Sequence, residues 1–234
     1  MSWREQCLIR LGDATTSLDH LVGAMRDVTA ELGFEHCSYV HRQPLPIAQP
    51  ALHWASTYPK AWLDRYFQRQ YLEVDPLVRR VLQVSTPVVW GDGDGDDQPQ
   101  FWEEARSFGI RHGWAVSSRG HAGAVGLMSV ARSHDPVTAA ELERHEMQLL
   151  WLAHTAQGLV ATLPGMAAPP LEPLSLRECE VLRWSAAGKT ADEIGMILAI
   201  TPRTVAFHIN RCIAKLDAAN KTEAVAKALV LGLL

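Results

Sequence analysis

The stretch LPGMAAPPLEPL, residues 163–174, places four prolines and one glycine in twelve positions. Proline has no backbone N–H to give, and its ring clashes with the preceding helical turn, so no helix or central strand runs through this segment. Any fold for the chain therefore has two bodies. The expected boundaries are a front domain at 1–163, a linker at 164–173 and a tail at 174–234.

The tail announces its helices through their caps. SLRE sets Ser175 as N-cap with Glu178 three residues on, and TADE repeats this capping box with Thr190 and Glu193. Thr201 precedes Pro202 as cap and first helical residue, and Asn220 precedes Glu223 in the same relation as the boxes. Gly188 closes the first of these helices. Four short helices result. The second, ADEIGMILA, and the third, PRTVAFHINRCIAKL, are joined by a turn of about three residues, which is helix-turn-helix geometry.

On that third helix Val205, Ile209, Ile213 and Leu216 share one face and are expected to pack inward. Arg203, Thr204, Ala206, His208, Asn210, Arg211 and Lys215 fall largely on the other. Cations and amides on such a face suit phosphates and major-groove base edges. The charge distribution agrees: residues 174–234 carry eight Lys/Arg against six acids, in a chain whose net charge is −4. The basic surplus is confined to the tail, as a DNA-facing module needs.

The front domain mixes periods. SLDHLVGAMRDVTAELG repeats its apolar residues at helical intervals, whereas FEHCSYVH, LHWAST, TPVVW, GWAVSS and AVGLMSVAR read as strands. PKAWLDRYFQRQ has Pro59 at an expected first helical position, and DPLVRRVLQ has Asp75 as N-cap with Pro76 after it. FWEEARSFG is a helix stopped by Gly109, and TAAELERHEMQLLWLAHTAQGLVATL is a long one. Helices lie at both ends without regular βαβ alternation. That predicts an α+β chain: an N-terminal α/β/α sandwich on an antiparallel sheet, then an all-α head of four helices.

Several functions are excluded or unsupported. A phosphoacceptor receiver needs alternating β and α elements, and this chain opens on helices. The acidic loop DGDGDDQPQFWE sets Asp92, Asp94, Asp96 and Glu103 at calcium-loop spacing, but Asp97 stands where the sharp turn requires glycine. The ten histidines show no metal spacing, and no Ser sits in a G-x-S-x-G elbow. The four cysteines are scattered and read as reduced structural residues. Arg4, Glu5 and Arg10 interrupt the N-terminal apolar residues, and ALVLGLL is too short to span a bilayer. A cytoplasmic protein without cofactor or metal, and no enzyme, is expected.

The front domain also carries polar-tipped aromatics. Tyr58, Trp62 and Tyr66 recur at i, i+4 and i+8, and Trp90, Trp102 and Trp114 follow. Asp75 sits beside a helix start and Ser129 within an apolar strand. By themselves these residues leave two readings open: ordinary core, or the lining of a pocket for an amphiphilic small molecule.

The tail resembles the LuxR/GerE-type DNA-binding domain over its whole length, on Glu178, Leu182, Gly188 and the GKT..EI and TV..H patterns. The resemblance implies that Thr204, Ala206 and Asn210 face bases, while Lys189, Arg203, His208, Arg211 and Lys215 contact phosphates. About residues 15–165, with YPKAW, FWEEARSFGIRHGW and the Ser129 strand, resemble the autoinducer-binding domain of LuxR-type quorum-sensing receptors, most like the QscR- and RhlR-like subgroups. The implied ligand is an N-acyl-L-homoserine lactone. Trp62 would donate to the lactone carbonyl, Asp75 would accept from the amide N–H, and the Tyr58 and Ser129 hydroxyls would donate to the acyl carbonyl. Trp90 and Trp102 would pack around the lactone ring and Tyr66 against the ligand body. Ser38, Val40, Arg42, Val78, Leu82 and Leu127 would follow the acyl chain. The implied molecule is a homodimer on a palindromic promoter site, with half-sites about 10 bp apart. Residues 138–163 would supply dimer contacts in front, and residues 221–234 would pair the heads. Two rivals remain: a solo regulator sensing another small molecule, and a lactone hydrolase with a DNA-binding tail.

Overall fold

A computed structural model describes residues 1–93, 97–167 and 171–234. Asp94 and Asp96 of the acidic loop, and residues 168–170 of the expected linker, lie outside the described residues. The chain forms two compact units. One comprises residues 1–42, 52–120 and 125–167; the other comprises residues 168–234 with the short segments 43–51 and 121–124.

The first unit is a three-layer sandwich. Its sheet has five antiparallel strands: β1 (His36–Arg42), β2 (Leu52–Ser56), β3 (Val88–Trp90), β4 (His112–Arg119) and β5 (Val125–Arg132), in the order β2-β1-β5-β4-β3. Helices α1 (Trp3–Asp13) and α2 (Leu18–Ala30) precede it, and the long α6 (Ala139–Val160) follows. Their apolar faces share a core with Cys37, Tyr39, Trp114, Val116, Met128 and Val130. Helices α3 (Lys60–Gln68), α4 (Pro76–Gln83) and α5 (Pro99–Ser107) contribute to the other core, with Ala115, Leu127 and Ala131. Strand side chains alternate between faces, so β5 is buried on both sides and reads as a continuous apolar run.

Local chemistry explains the helix starts. Asp75 caps α4, and Thr138 with Glu141 forms a capping box on α6. Gly109, at φ +82°, follows α5 in the left-handed region that glycine enters without strain. Pro59 stands at the N-cap of α3, one residue before its expected position. Helix α1 was outside the sequence expectations, although Ser2 and Glu5 give it the same capping box as the tail helices.

The second unit holds α7 (Leu176–Ala186), α8 (Ala191–Leu198), α9 (Pro202–Lys215) and α10 (Lys221–Val230), with the predicted caps Ser175, Thr190, Thr201 and Asn220 all in use. Ala199, Ile200 and Thr201 join α8 to α9, and the Ile200 N–H donates to the Gly195 carbonyl. A Cβ at Gly195 would meet the Ile200 oxygen at 2.7 Å, so glycine there lets the turn close. Val205 and Leu216 are buried as expected, but Ile209 and Ile213 are only half-buried. Cys212, like Val205, is fully buried on the inner face, and it packs with Leu182 and Leu216.

Candidate ligand cavity and nucleic-acid interface

A cavity of about 380 Å³ lies on the α3–α4 side of the sheet. Ser38 and Val40 on β1 line it, as do Leu127 and Ser129 on β5, since each pair points to one face of its strand. Helix α3 adds Trp62, Leu63, Tyr66 and Phe67, whose spacing follows the helical repeat. Leu72, Asp75, Leu77 and Val78 contribute from the turn before α4 and its first residues, and Leu52 and Trp54 from β2.

The polar groups in this largely apolar lining are few, and all but the Trp62 indole N–H are paired. Asp75 Oδ1 accepts from the Leu77 N–H at 2.8 Å and the Val78 N–H at 3.2 Å. Its Oδ2 accepts from the Tyr66 hydroxyl at 2.8 Å. Burial raises the Asp75 carboxyl above its usual pKa, against the pull of those three donors. Burial likewise pushes the Tyr58 and Tyr66 phenols up, so both remain neutral hydroxyls. Tyr58 Oη and Ser129 Oγ are 3.2 Å apart, and the Trp54 indole N–H donates to Ser38 Oγ at 3.0 Å. Trp62 is buried among Tyr66, Tyr71, Phe101 and Phe108, and its indole N–H donates to none of the described residues. The chamber thus offers an N–H donor, a carboxylate acceptor and a hydroxyl pair to an otherwise apolar guest.

The sequence-predicted residues divide. Tyr58, Trp62, Tyr66, Asp75, Ser129, Ser38 and Val78 all line the cavity, together with Val40 and Leu127. Trp90 and Trp102 do not. They pack on each other at 5.6 Å, and Phe101 makes ring contacts with both Trp102 and Trp62, so the pair belongs to the core that supports the cavity. Leu82 is 53% exposed and outside the lining, because it falls on the outer face of α4. Arg42 is also exposed and outside it. The sequence reading missed Leu52, Trp54, Leu63, Phe67, Leu72 and Leu77. Period-2 alternation in β2 and the i+4 step from Leu63 to Phe67 carried a signal for four of them.

In the head, Arg203, Ala206, Asn210 and Arg211 are exposed on α9, and His208 and Thr204 are half-buried. Thr204 is held by the cap, its N–H donating to Thr201 Oγ1 at 3.1 Å. Lys189 pairs with Glu193 at 3.1 Å and stays partly exposed. Lys215 departs from its expected phosphate role. Its side chain is 9% exposed, and its ammonium donates to Glu178 at 2.8 Å and to the Pro173 carbonyl at 2.9 Å. Burial pushes the Glu178 carboxyl up, but Lys215 and Ser175 more than offset this and hold it below the usual range. Glu178 and Lys215 are therefore an internal tie between α7 and α9. Phe207, which the sequence reading passed over, is exposed on the same face as Arg203 and Arg211.

A sandwich with a largely apolar cavity, joined to a helix-turn-helix head, defines a ligand-binding transcription regulator. Residues 17–158 match the autoinducer binding domain, and residues 172–228 match the bacterial regulatory proteins of the luxR family. The chain belongs to the LuxR family of quorum-sensing regulators, and is not an enzyme. It is 43% identical to the transcriptional activator protein SolR of Ralstonia nicotianae, over 88% of this chain and 89% of that one. It is 37% identical to the transcriptional activator protein AnoR of Acinetobacter nosocomialis, over 100% and 99%. The crystal structure of Escherichia coli SdiA superposes with a TM-score of 0.74 at 28% identity, covering 99% of this chain and 97% of that one. SdiA has also been solved in complex with octanoyl-rac-glycerol. Among the described residues, no helix is long and apolar enough to cross a membrane.

Proposed function

We propose that the front domain binds an N-acyl-L-homoserine lactone and that the chain, as a homodimer, binds a roughly palindromic promoter site. The domain limits remain those read from the proline-rich stretch: 1–163, 164–173 and 174–234. The observation that carries this reading is the polar set in the cavity. A homoserine lactone presents one lactone carbonyl, one amide N–H, one acyl carbonyl and an apolar chain. Trp62 N–H suits the first, Asp75 the second, the Tyr58–Ser129 pair the third, and Val40, Leu127, Val78 and their neighbours the fourth. In a dry chamber each mismatched polar group costs about 1–3 kcal/mol, so such matching selects the head group. On DNA, Arg203, Arg211, Lys189 and His208 take phosphates, and Thr204, Ala206 and Asn210 face bases. Lys215 is withdrawn from that set. The outer face of α6 supplies dimer contacts in front, and α10 pairs the heads.

The test is ligand capture. The full chain is expressed with a panel of lactones of four to twelve acyl carbons and purified, and the bound species is identified by mass spectrometry. One retained lactone with raised soluble yield is the expected result. Folded protein that retains no lactone from any culture overturns the lactone reading. A second reading has support in the SdiA complex: a glycerol ester also joins a hydroxyl-rich head to an acyl chain. Retention of a monoacylglycerol in place of every lactone would establish it.

A further inference from the structure

We propose that Phe207 reads the 5-methyl group of a thymine in duplex DNA. The inference rests on the DNA-binding reading above and deepens it. After Pro202 at its first position, the exposed residues of α9 fall at Arg203, Ala206, Phe207, Asn210, Arg211 and Ala214, one continuous stripe at helical spacing that contains no acid. Phe207 stands near its middle and is 59% exposed. It belongs to neither apolar cluster of the head, and its one aromatic neighbour among the described residues is His208, at 5.5 Å between ring centroids.

A phenyl ring so placed adds little to the core of the head, since more than half of its surface is left in water. It has a guanidinium one turn before it and another one turn after. That surround fits a polyanion better than an apolar protein surface, because two cations beside the ring would have to be stripped of water, and only Arg211 has acids near it, Glu172 at 3.5 Å and Glu178 at 3.8 Å. Within a phosphate-lined major groove, the apolar feature presented by a base edge is the thymine methyl. Arg203 and Arg211 would fix the helix on the backbone, and the ring between them would reach the groove floor. Ala206 alongside offers only one methyl of its own, so the longer Phe207 is the residue able to exclude water from the thymine.

The experiment starts from duplexes selected from a random pool by the full-length protein, grown with the lactone panel. Each thymine of the selected duplex is replaced singly by uracil, which removes the methyl and nothing else. The wild-type chain is expected to lose about fourfold in affinity at one thymine per half-site, the worth of one buried methyl. Phe207→Ala should lose that fourfold on the thymine duplex and then be indifferent to uracil at that position. Phe207→Leu should keep part of the sensitivity. The inference is overturned if wild type tolerates uracil everywhere, or if Phe207→Ala keeps the same methyl dependence. It is also overturned if Phe207→Ala loses equally on selected and random duplexes. If the pool yields no enriched duplex at all, the DNA-binding reading itself falls.

Discussion

Asp75 divides its labour between two oxygens. Oδ1 caps α4 through two backbone N–H groups, and Oδ2 holds the Tyr66 hydroxyl inside the cavity. Asparagine is as good an N-cap as aspartate, so Asp75→Asn preserves the helix start while removing the carboxylate. On the proposed reading the ligand amide then loses its anionic acceptor. The expected result is about a fivefold to 150-fold loss of lactone affinity, from about 1–3 kcal/mol, with little change in the melting temperature of ligand-free protein. Trp62→Phe should behave alike, since an aromatic body remains against Tyr71 and Phe101 while the unpaired N–H is lost. Thermal melts beside lactone titrations separate the two effects. A fall in ligand-free stability with unchanged affinity would make both residues structural.

At the scale of elements, α9 carries two cations one turn apart with opposite tasks. Lys215 is enclosed with Glu178, and removing one partner of such a pair leaves the other charge uncompensated. Lys215→Met should therefore lower the melting temperature of the head. Arg211 is about half exposed, with Glu172 at 3.5 Å and Glu178 at 3.8 Å. Arg211→Ala should leave the melt nearly unchanged, weaken binding to every duplex and flatten its salt dependence. Equal thermal losses in both variants would show that Arg211 too is internal. The same contrast shows what the sequence could and could not reveal. Caps are local chemistry, fixed by residues three apart, so Ser175, Thr190, Thr201 and Asn220 were all legible. Whether a lysine on a helix meets water or a glutamate 37 residues earlier depends on packing. Trp62 and Trp102 illustrate the same limit in the front domain: both are buried tryptophans on short helices, yet one lines the cavity and the other stands behind it.

For the molecule as a whole, the two faces of the sheet carry different chemistry on the same strands. On β1, Ser38 and Val40 look into the cavity, while Tyr39 and His41 lie on the α6 side, where the Tyr39 hydroxyl donates to Gln157 at 2.5 Å. His41 is buried there, and burial first, then His53, holds its pKa below 6.5, against a smaller pull from Gln157 and the Met166 main chain. The folded state therefore prefers the neutral ring. The unfolded chain takes up the proton as pH falls through about 6.5, so stability present above that value is lost as pH drops toward the lower folded pKa. Paired carboxylates act in a separate window: Glu141, held down to about 2 by Arg132 and the Thr138 cap, loses its contribution only as pH falls below its unfolded value of 4.5. Between about pH 7.5 and 5 the melting temperature of the front domain should decline, and His41→Gln should flatten that decline. A ligand at a hundred times its Kd adds about 2.7 kcal/mol at any pH where its own affinity is constant. Saturating lactone should thus raise the whole stability profile and leave its slope unchanged. A slope that vanished on ligand binding would instead mean that the cavity and His41 are coupled through β1, and melts at four pH values with and without lactone distinguish the two.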